Sequence, residues 1–84
     1  MNPRIEKLKW RSRRSMLELD LYFNTFIENG KLDLLSEKEL DFYASLLEFD
    51  DGEILLLFQK KITTHSENIQ KLIDSIINTN HNKV

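Results

Sequence analysis

The sequence predicts an all-α fold, a small compact five-helix bundle formed by a single domain. Apolar residues recur at three- and four-residue spacing in five segments, and no segment shows a convincing strand pattern. Helix start and stop residues separate these segments. The 84 residues suffice for one small core. The chain has no cysteine, so no disulfide is available to stabilise it.

The first helix is predicted over residues 3–13, because a proline suits the first helical turn. Ile5, Leu8 and Ser12 share one narrow face of this helix. Trp10 lies off that face, so two interpretations stay open: it packs against the next helix, or it is exposed for a partner.

The second helix is predicted over residues 15–29, with Ser15 as its N-cap and Gly30 supplying the left-handed residue that ends it. Six apolar side chains are predicted to face the core: Met16, Leu19, Tyr22, Phe23, Phe26 and Ile27. The short linker over residues 31–35 carries three leucines, which we expect to pack beneath it.

The third helix starts at Ser36, where a glutamate three residues later forms a capping-box pattern, and it ends near Phe49. The acidic break at residues 50–53 provides the N-terminus of the fourth helix. That helix is expected to end near the two lysines at residues 60–61, because cations favour a helix C-terminus.

The fifth helix follows possible caps at residues 63–66 and has the clearest apolar pattern. Its core positions are Ile69, Leu72, Ile73, Ile76 and Ile77. A polar tail, expected to be disordered, follows over about residues 79–84. The whole chain, residues 1–84, is therefore predicted to be one helical domain.

Charge is divided unevenly along the chain. Residues 1–14 carry six cations and one acid, a net charge of +5, and the remaining residues carry six cations and thirteen acids, a net charge of −7. The basic leader could contact phosphates and bind nucleic acid in a salt-sensitive way. The acidic remainder argues against this, as does the lack of aromatic residues interleaved with the cations.

The residue inventory argues against an enzyme or a metal site. The chain has two glycines, too few for a phosphate-binding loop, and it lacks a nucleophile paired with a base. His65 and His81 do not have metal-ligand spacing, and the acids at residues 50–53 do not meet the EF-hand pattern. No apolar run approaches the ~20 residues that span a bilayer, and no secretory signal follows the basic N-terminus.

Arg14 and Glu18 are four residues apart and would share a face on a continuous helix. One interpretation is an ordinary surface ion pair, worth roughly 0.3–0.5 kcal/mol. The other is a docking surface for another protein, in which a rigid helix presents charges of both signs.

Several segments together resemble a known family. They are Trp10, residues 13–20 (RRSMLELD), Phe26, the pair Leu35–Ser36 and residues 46–51 (LLEFDD). The chain is similar in these segments to the succinate dehydrogenase assembly factors, the FAD assembly factors of the SdhE type in bacteria and their mitochondrial counterparts. The resemblance runs from about Ile5 to Ile77. The family motif Arg-Gly-x-x-Glu falls on residues 14–18, with Ser15 in place of glycine.

The resemblance implies a five-helix chaperone, not an enzyme. Such a protein binds the flavoprotein subunit of succinate dehydrogenase or fumarate reductase and promotes covalent attachment of FAD to it. By this resemblance, FAD is not bound stably by the chain itself, which is expected to act as a monomer in the bacterial cytoplasm. The implied partner-binding residues are Arg14, Ser15 and Glu18, with Arg13, Trp10 and Asp20 flanking them. A small nucleic-acid-binding module and a generic protein-interaction domain remain the alternatives.

Overall fold

The computed structural model describes residues 2–81, and these residues form five α-helices, a short 3₁₀ turn and no strand. The elements are α1 (Pro3–Arg11), α2 (Leu17–Glu28), the 3₁₀ turn (Leu32–Leu34), α3 (Glu37–Leu47), α4 (Asp51–Phe58) and α5 (Glu67–His81). The predicted all-α, five-helix, single-domain fold is therefore confirmed.

The core lies where α5 packs against α2 and α3, with α4 closing one side and α1 lying on α3. Phe23 meets Tyr43 and Phe58 edge-on, with ring centroids 6.1 and 5.3 Å apart, and Phe26 stacks on Tyr43 at 6.1 Å. All four rings are almost fully buried. These aromatic contacts join three helices and contribute more than their buried area alone.

Three predicted helix caps are confirmed. Ser36 accepts a hydrogen bond from the Glu39 N–H at 3.1 Å while the Glu39 side chain accepts one from the Ser36 N–H at 2.9 Å. Asp50 caps α4 by accepting from the Gly52 N–H at 3.0 Å. Ser66 Oγ accepts from the backbone of the first turn of α5 at 3.3 Å. Each cap satisfies a backbone donor that has no partner within its helix.

Gly30 ends α2 as predicted. It has a left-handed φ of 74°. Its N–H donates to the Ile27 carbonyl at 2.9 Å, and the next N–H, from Lys31, donates to the Phe26 carbonyl at 3.2 Å. This pair of bonds is a Schellman motif, which satisfies carbonyl groups at the helix end.

The predicted start of α2 is wrong. The helix begins at Leu17, so Ser15 lies outside it and makes no cap bond, and Met16 occupies the N-cap position without a side-chain hydrogen bond. Met16 is also exposed, with 36% of its surface accessible, rather than in the core. The helix α1 ends at Arg11, two residues earlier than predicted. Residues 12–16 therefore form a connection between α1 and α2.

Other boundaries also differ from the prediction. The helix α3 ends at Leu47 rather than near Phe49. The helix α4 ends at Phe58, and Lys60 adopts a left-handed φ of 61°. Of the linker leucines, Leu32 is buried but Leu34 is 76% exposed.

The helix α5 continues to His81, so residues 79–81 are helical rather than part of a frayed tail. Asn80 explains this extension, because its Nδ2 donates to the carbonyls of Tyr22 at 3.2 Å and Ile76 at 2.9 Å. The rest of the predicted tail, residues 82–84, lies outside the described residues. Within residues 2–81, no helix has the length and apolar content needed to cross a membrane.

Candidate functional site

Arg14 lies on the connection between α1 and α2 and reaches across to the junction of α3 and α4. Its Nη1 donates to Asp51 Oδ1 at 3.0 Å, and its Nη2 donates to the Leu47 carbonyl at 3.0 Å. The guanidinium carbon lies 5.8 Å from the centre of the Phe23 ring. Only 15% of the Arg14 side chain is exposed. Arg14 therefore ties the connection to the junction of α3 and α4.

Asp20 fixes the same connection from the other side. Its Oδ1 accepts a hydrogen bond from the Arg14 N–H at 3.1 Å, and the residue is half-buried on the first turn of α2. The backbone and side chain of Arg14 are thus held by different elements. All three hydrogen bonds of Arg14, to Asp20, Asp51 and the Leu47 carbonyl, involve a charged group, which makes them stronger than neutral hydrogen bonds.

Ser12 and Tyr43 form a buried hydroxyl pair at the start of the connection. Ser12 Oγ donates to the Leu8 carbonyl at 2.7 Å and lies 2.5 Å from the Tyr43 hydroxyl. Because the Ser12 proton is already used, Tyr43 is the donor. Burial raises the pKa of Tyr43 to about 12. The sequence placed Ser12 on the inner face of α1 but carried no signal for its partner, 31 residues away.

Glu18 is in a different environment from Arg14. It is exposed on the first turn of α2, where its Oε2 accepts a hydrogen bond from Gln59 Nε2 at 3.2 Å. It forms no ion pair within residues 2–81. The prediction that Arg14 and Glu18 could pair along one helix face is wrong, because Arg14 precedes the helix and points elsewhere.

Ser15 is exposed between these two residues. Lys60 is the one non-glycine residue with a positive φ in the described chain, so the backbone at Ser15 has an ordinary conformation. A glycine is therefore not needed at this position to form the connection.

Trp10 and Arg13 form a second exposed feature beside the connection. Trp10 is 74% exposed, and the Arg13 guanidinium lies 5.8 Å from the centre of its ring. This distance is within the range of a cation–π interaction. Arg13 makes no ion pair within residues 2–81. Of the two interpretations open for Trp10, the structure supports exposure.

Most cations of the basic leader face acids of the same chain. Arg4 bonds to Glu37 at 2.9 Å and also to Asp41, and Arg11 bonds to Glu48 at 2.6 Å. The bond to Asp41 is the largest cause of the raised pKa of Arg4. Lys9 lies near acids in a similar way, 3.3 Å from Glu6 and 3.8 Å from Asp33. These ion pairs attach α1 to α3 and the 3₁₀ turn, which leaves less positive charge free for an external partner.

The residues implicated by sequence thus lie near the end of α1, on the connection and on the first turn of α2. Trp10, Arg13, Ser15 and Glu18 are exposed there, whereas Arg14 and Asp20 are partly buried and hold the region in shape. Within residues 2–81, no group of three His, Asp or Glu side chains could hold a metal ion. The arrangement is suited to contact with another macromolecule.

Comparisons with known proteins identify the family. The profile described as "Flavinator of succinate dehydrogenase" matches residues 6–80. A protein of Vibrio cholerae, named FAD assembly factor SdhE, is 33% identical over 78 residues, which cover 93% of this chain and 90% of the relative. Proteins of the same name from Wigglesworthia glossinidia brevipalpis and Shewanella oneidensis are 34% and 39% identical, over 80% and 64% of this chain and 79% and 65% of their own lengths.

No solved structure gave a significant match to the chain. The family consists of assembly factors rather than catalytic enzymes. Its profile covers all five residues of the motif at positions 14–18 and all or most of every helix described above. The chain therefore belongs to the family of flavinators of succinate dehydrogenase, as its resemblance to the FAD assembly factors predicts.

Proposed function

We propose that this protein binds the flavoprotein subunit of succinate dehydrogenase and promotes covalent attachment of FAD to that subunit. A fumarate reductase flavoprotein is a second client of the same chemical type. The observation that carries the proposal is the match of the family profile over residues 6–80. The exposed carboxylate of Glu18, held on a rigid surface and free of an ion pair in the described chain, supports it.

The two ends of the motif contribute in different ways to this proposal. Arg14 is a positioning residue, because its bonds to Asp51 and Leu47 fix the connection on which the exposed groups lie. Glu18, Trp10 and the neighbouring Arg13 are the groups available for contact with the client. Preorganisation of this kind lowers the entropy that binding would otherwise cost.

The assembly factor acts in this proposal by binding to one conformation of its client. A ligand that binds one of two conformations more tightly shifts the population towards that conformation. Alignment of the flavin with its acceptor histidine is a gain in position and orientation, which can accelerate a reaction without a catalytic group from the binding partner. The flavoprotein itself then carries out the bond formation.

The remaining expectations belong to the same proposal. The protein acts as a monomer in the bacterial cytoplasm and does not retain FAD. Nucleic-acid binding is not part of the proposal, because four of the six leader cations form ion pairs within the chain: Arg4, Lys9, Arg11 and Arg14. For the same reason, the proposal attributes client binding mainly to short-range contacts and less to long-range electrostatic attraction by the basic leader.

The test compares Glu18→Ala with Glu28→Ala, an exposed glutamate on the same helix. Each variant replaces the native protein in cells, and covalent flavin in the flavoprotein is measured by in-gel fluorescence. We expect a reduction of about five-fold or more for Glu18→Ala and none for Glu28→Ala, because Glu18 lies within the motif. Circular dichroism checks that both variants fold. Full flavin loading in cells lacking the protein would contradict the proposed function.

A further inference from the structure

The helix α2 carries apolar side chains on the face that points away from the core. Leu17 is 70% exposed and Leu21, one turn later, is 54% exposed. Met16, directly before the helix, is 36% exposed. An outward helix face is normally polar, since exposed apolar groups gain nothing from folding. We name these three residues the α2 strip.

The fold does not need the α2 strip. Leu19, Phe23 and Phe26 are the apolar residues that this helix buries, and each is at most 1% exposed; Thr25 is also buried, at 5%. At 100° per residue, Leu17 and Leu21 lie on the opposite side of the helix from these three apolar residues. The strip is therefore free to contact another molecule, and it adjoins Glu18 in the motif.

The charges of α2 indicate what kind of surface would cover the strip. The helix contains three acids, Glu18, Asp20 and Glu28, and no basic residue. Asp20 accepts the Arg14 N–H, whereas the one hydrogen bond of the Glu18 side chain within residues 2–81 comes from the amide of Gln59. Because Glu18 adjoins the strip, an acidic group of a partner would be repelled there, and a basic group would pair with it.

We propose that the α2 strip is the apolar anchor of the client interface, and that it docks on an apolar patch of the flavoprotein bordered by a Lys or Arg that pairs with Glu18. This inference rests on the proposed function and specifies the chemistry of the client surface. Burial of Leu17 and Leu21 against the client transfers apolar surface out of water, which favours binding. The charge pair fixes the orientation and disfavours partners that lack the cation.

The experiment measures binding of the purified full-length chain to the purified FAD-free flavoprotein subunit of the same organism, by titration calorimetry. The double variant Leu17→Ser/Leu21→Ser is compared with Leu34→Ser, a leucine that is 76% exposed on the 3₁₀ turn. We expect at least a thirty-fold loss of affinity for the double variant and less than a two-fold change for the control. Thermal unfolding confirms that both variants are folded.

A second arm tests the charge. Glu18→Gln keeps the shape of the side chain and should weaken binding several-fold, and Glu18→Lys should weaken it further because it opposes the client's cation. The affinity of the native chain should decrease as the salt concentration is raised from about 50 to about 300 mM, and the affinity of Glu18→Gln should decrease less. Equal or tighter binding by Glu18→Lys would overturn the charge pair.

The outcomes separate this inference from the proposed function. If the native chain binds the flavoprotein and the double variant binds within two-fold of it, the strip is not the anchor, while the proposed function stands. If the native chain does not bind the flavoprotein at all, the proposed function fails and the inference fails with it. A loss confined to the double variant supports both.

Discussion

Arg14 and Glu18 occupy the two ends of one five-residue motif but have different surroundings. Arg14 is mostly buried and donates to groups that lie 33 and 37 residues away. Glu18 is exposed, and within residues 2–81 its side chain forms one hydrogen bond, to Gln59. A substitution at Arg14 should therefore act first on the structure, and a substitution at Glu18 should act first on binding. A functional assay of an Arg14 variant should therefore be accompanied by a measurement of that variant's unfolding free energy.

Arg14→Ala should lower the free energy of unfolding by about 2–3 kcal/mol, because it leaves the Asp51 carboxylate and the Leu47 carbonyl without their donor. Arg14→Lys should recover only part of this loss, since an ammonium cannot reproduce the two-pronged geometry. Urea denaturation measures both. The matched control is Arg13→Ala, an exposed arginine one residue earlier, with an expected change below about 0.5 kcal/mol. Equal stability of the Arg14→Ala and Arg13→Ala variants would contradict the structural role.

The buried Tyr43 predicts a loss of stability in alkali. Its folded pKa of about 12 exceeds the ordinary value near 10, so the unfolded chain releases the phenol proton first as pH rises. The stabilising contribution is complete below about pH 10 and disappears between about pH 10 and pH 12. Tyr43→Phe cannot ionise. We expect the native chain to have a larger free energy of unfolding than Tyr43→Phe at pH 9. This difference should decrease by about 1–2 kcal/mol at pH 11, because only the native chain loses stability by ionisation of Tyr43. Urea denaturation at the two pH values measures it. An unchanged difference would contradict the burial of an ionisable group.

At the scale of elements, helix ends follow local chemistry where the capping partner is near in sequence. Ser36 and Asp50 cap their helices with groups two or three residues away, and both were predictable. The end of α4 was predicted near Lys60 and Lys61 from their charge, but its Schellman motif was not, because the motif uses Lys60 in the position where glycine is common. The N–H of Lys61 donates there to the Leu56 carbonyl at 2.9 Å. No residue type in that segment signals the left-handed conformation.

Two substitutions at matching helix ends should have opposite effects. Gly30→Ala places a side chain on a left-handed residue and should destabilise the protein by about 1 kcal/mol. Lys60→Gly removes that strain at the end of α4 and should stabilise it by about 0.5–1 kcal/mol. The midpoints of thermal unfolding measure both shifts. Shifts of the same sign would show that the left-handed conformation does not control these ends.

At the scale of the whole molecule, α1 is attached by a mixture of burial and charge. Ile5, Leu8 and Ser12 are buried against the bundle, Arg4 bonds to acids on α3, and Arg11 bonds to Glu48 directly after α3. The opposite charges of the leader and the remainder therefore act largely within the molecule. Exposed ion pairs contribute only about 0–1 kcal/mol each, so burial should dominate.

Leu8→Ala should accordingly cost about 2–4 kcal/mol of unfolding free energy, because Leu8 is only 3% exposed. Arg11→Ala removes the ion pair with Glu48 from the same helix and should cost less than about 1 kcal/mol. Urea unfolding followed by circular dichroism compares the two variants. A larger loss for Arg11→Ala would mean that charge, and not burial, holds α1 in place.

The sequence by itself determined the helical class, the number of helices, most of the core and the caps of α3, α4 and α5, because these depend on periodicity and on groups a few residues apart. It also placed the motif at residues 14–18. Only the tertiary structure decided that Arg14 turns inwards and that Arg4, Arg11 and Arg14 pair with acids on α3, directly after it and at the start of α4. Those outcomes depend on contacts between residues more than thirty positions apart, which a pattern of neighbouring residues does not encode.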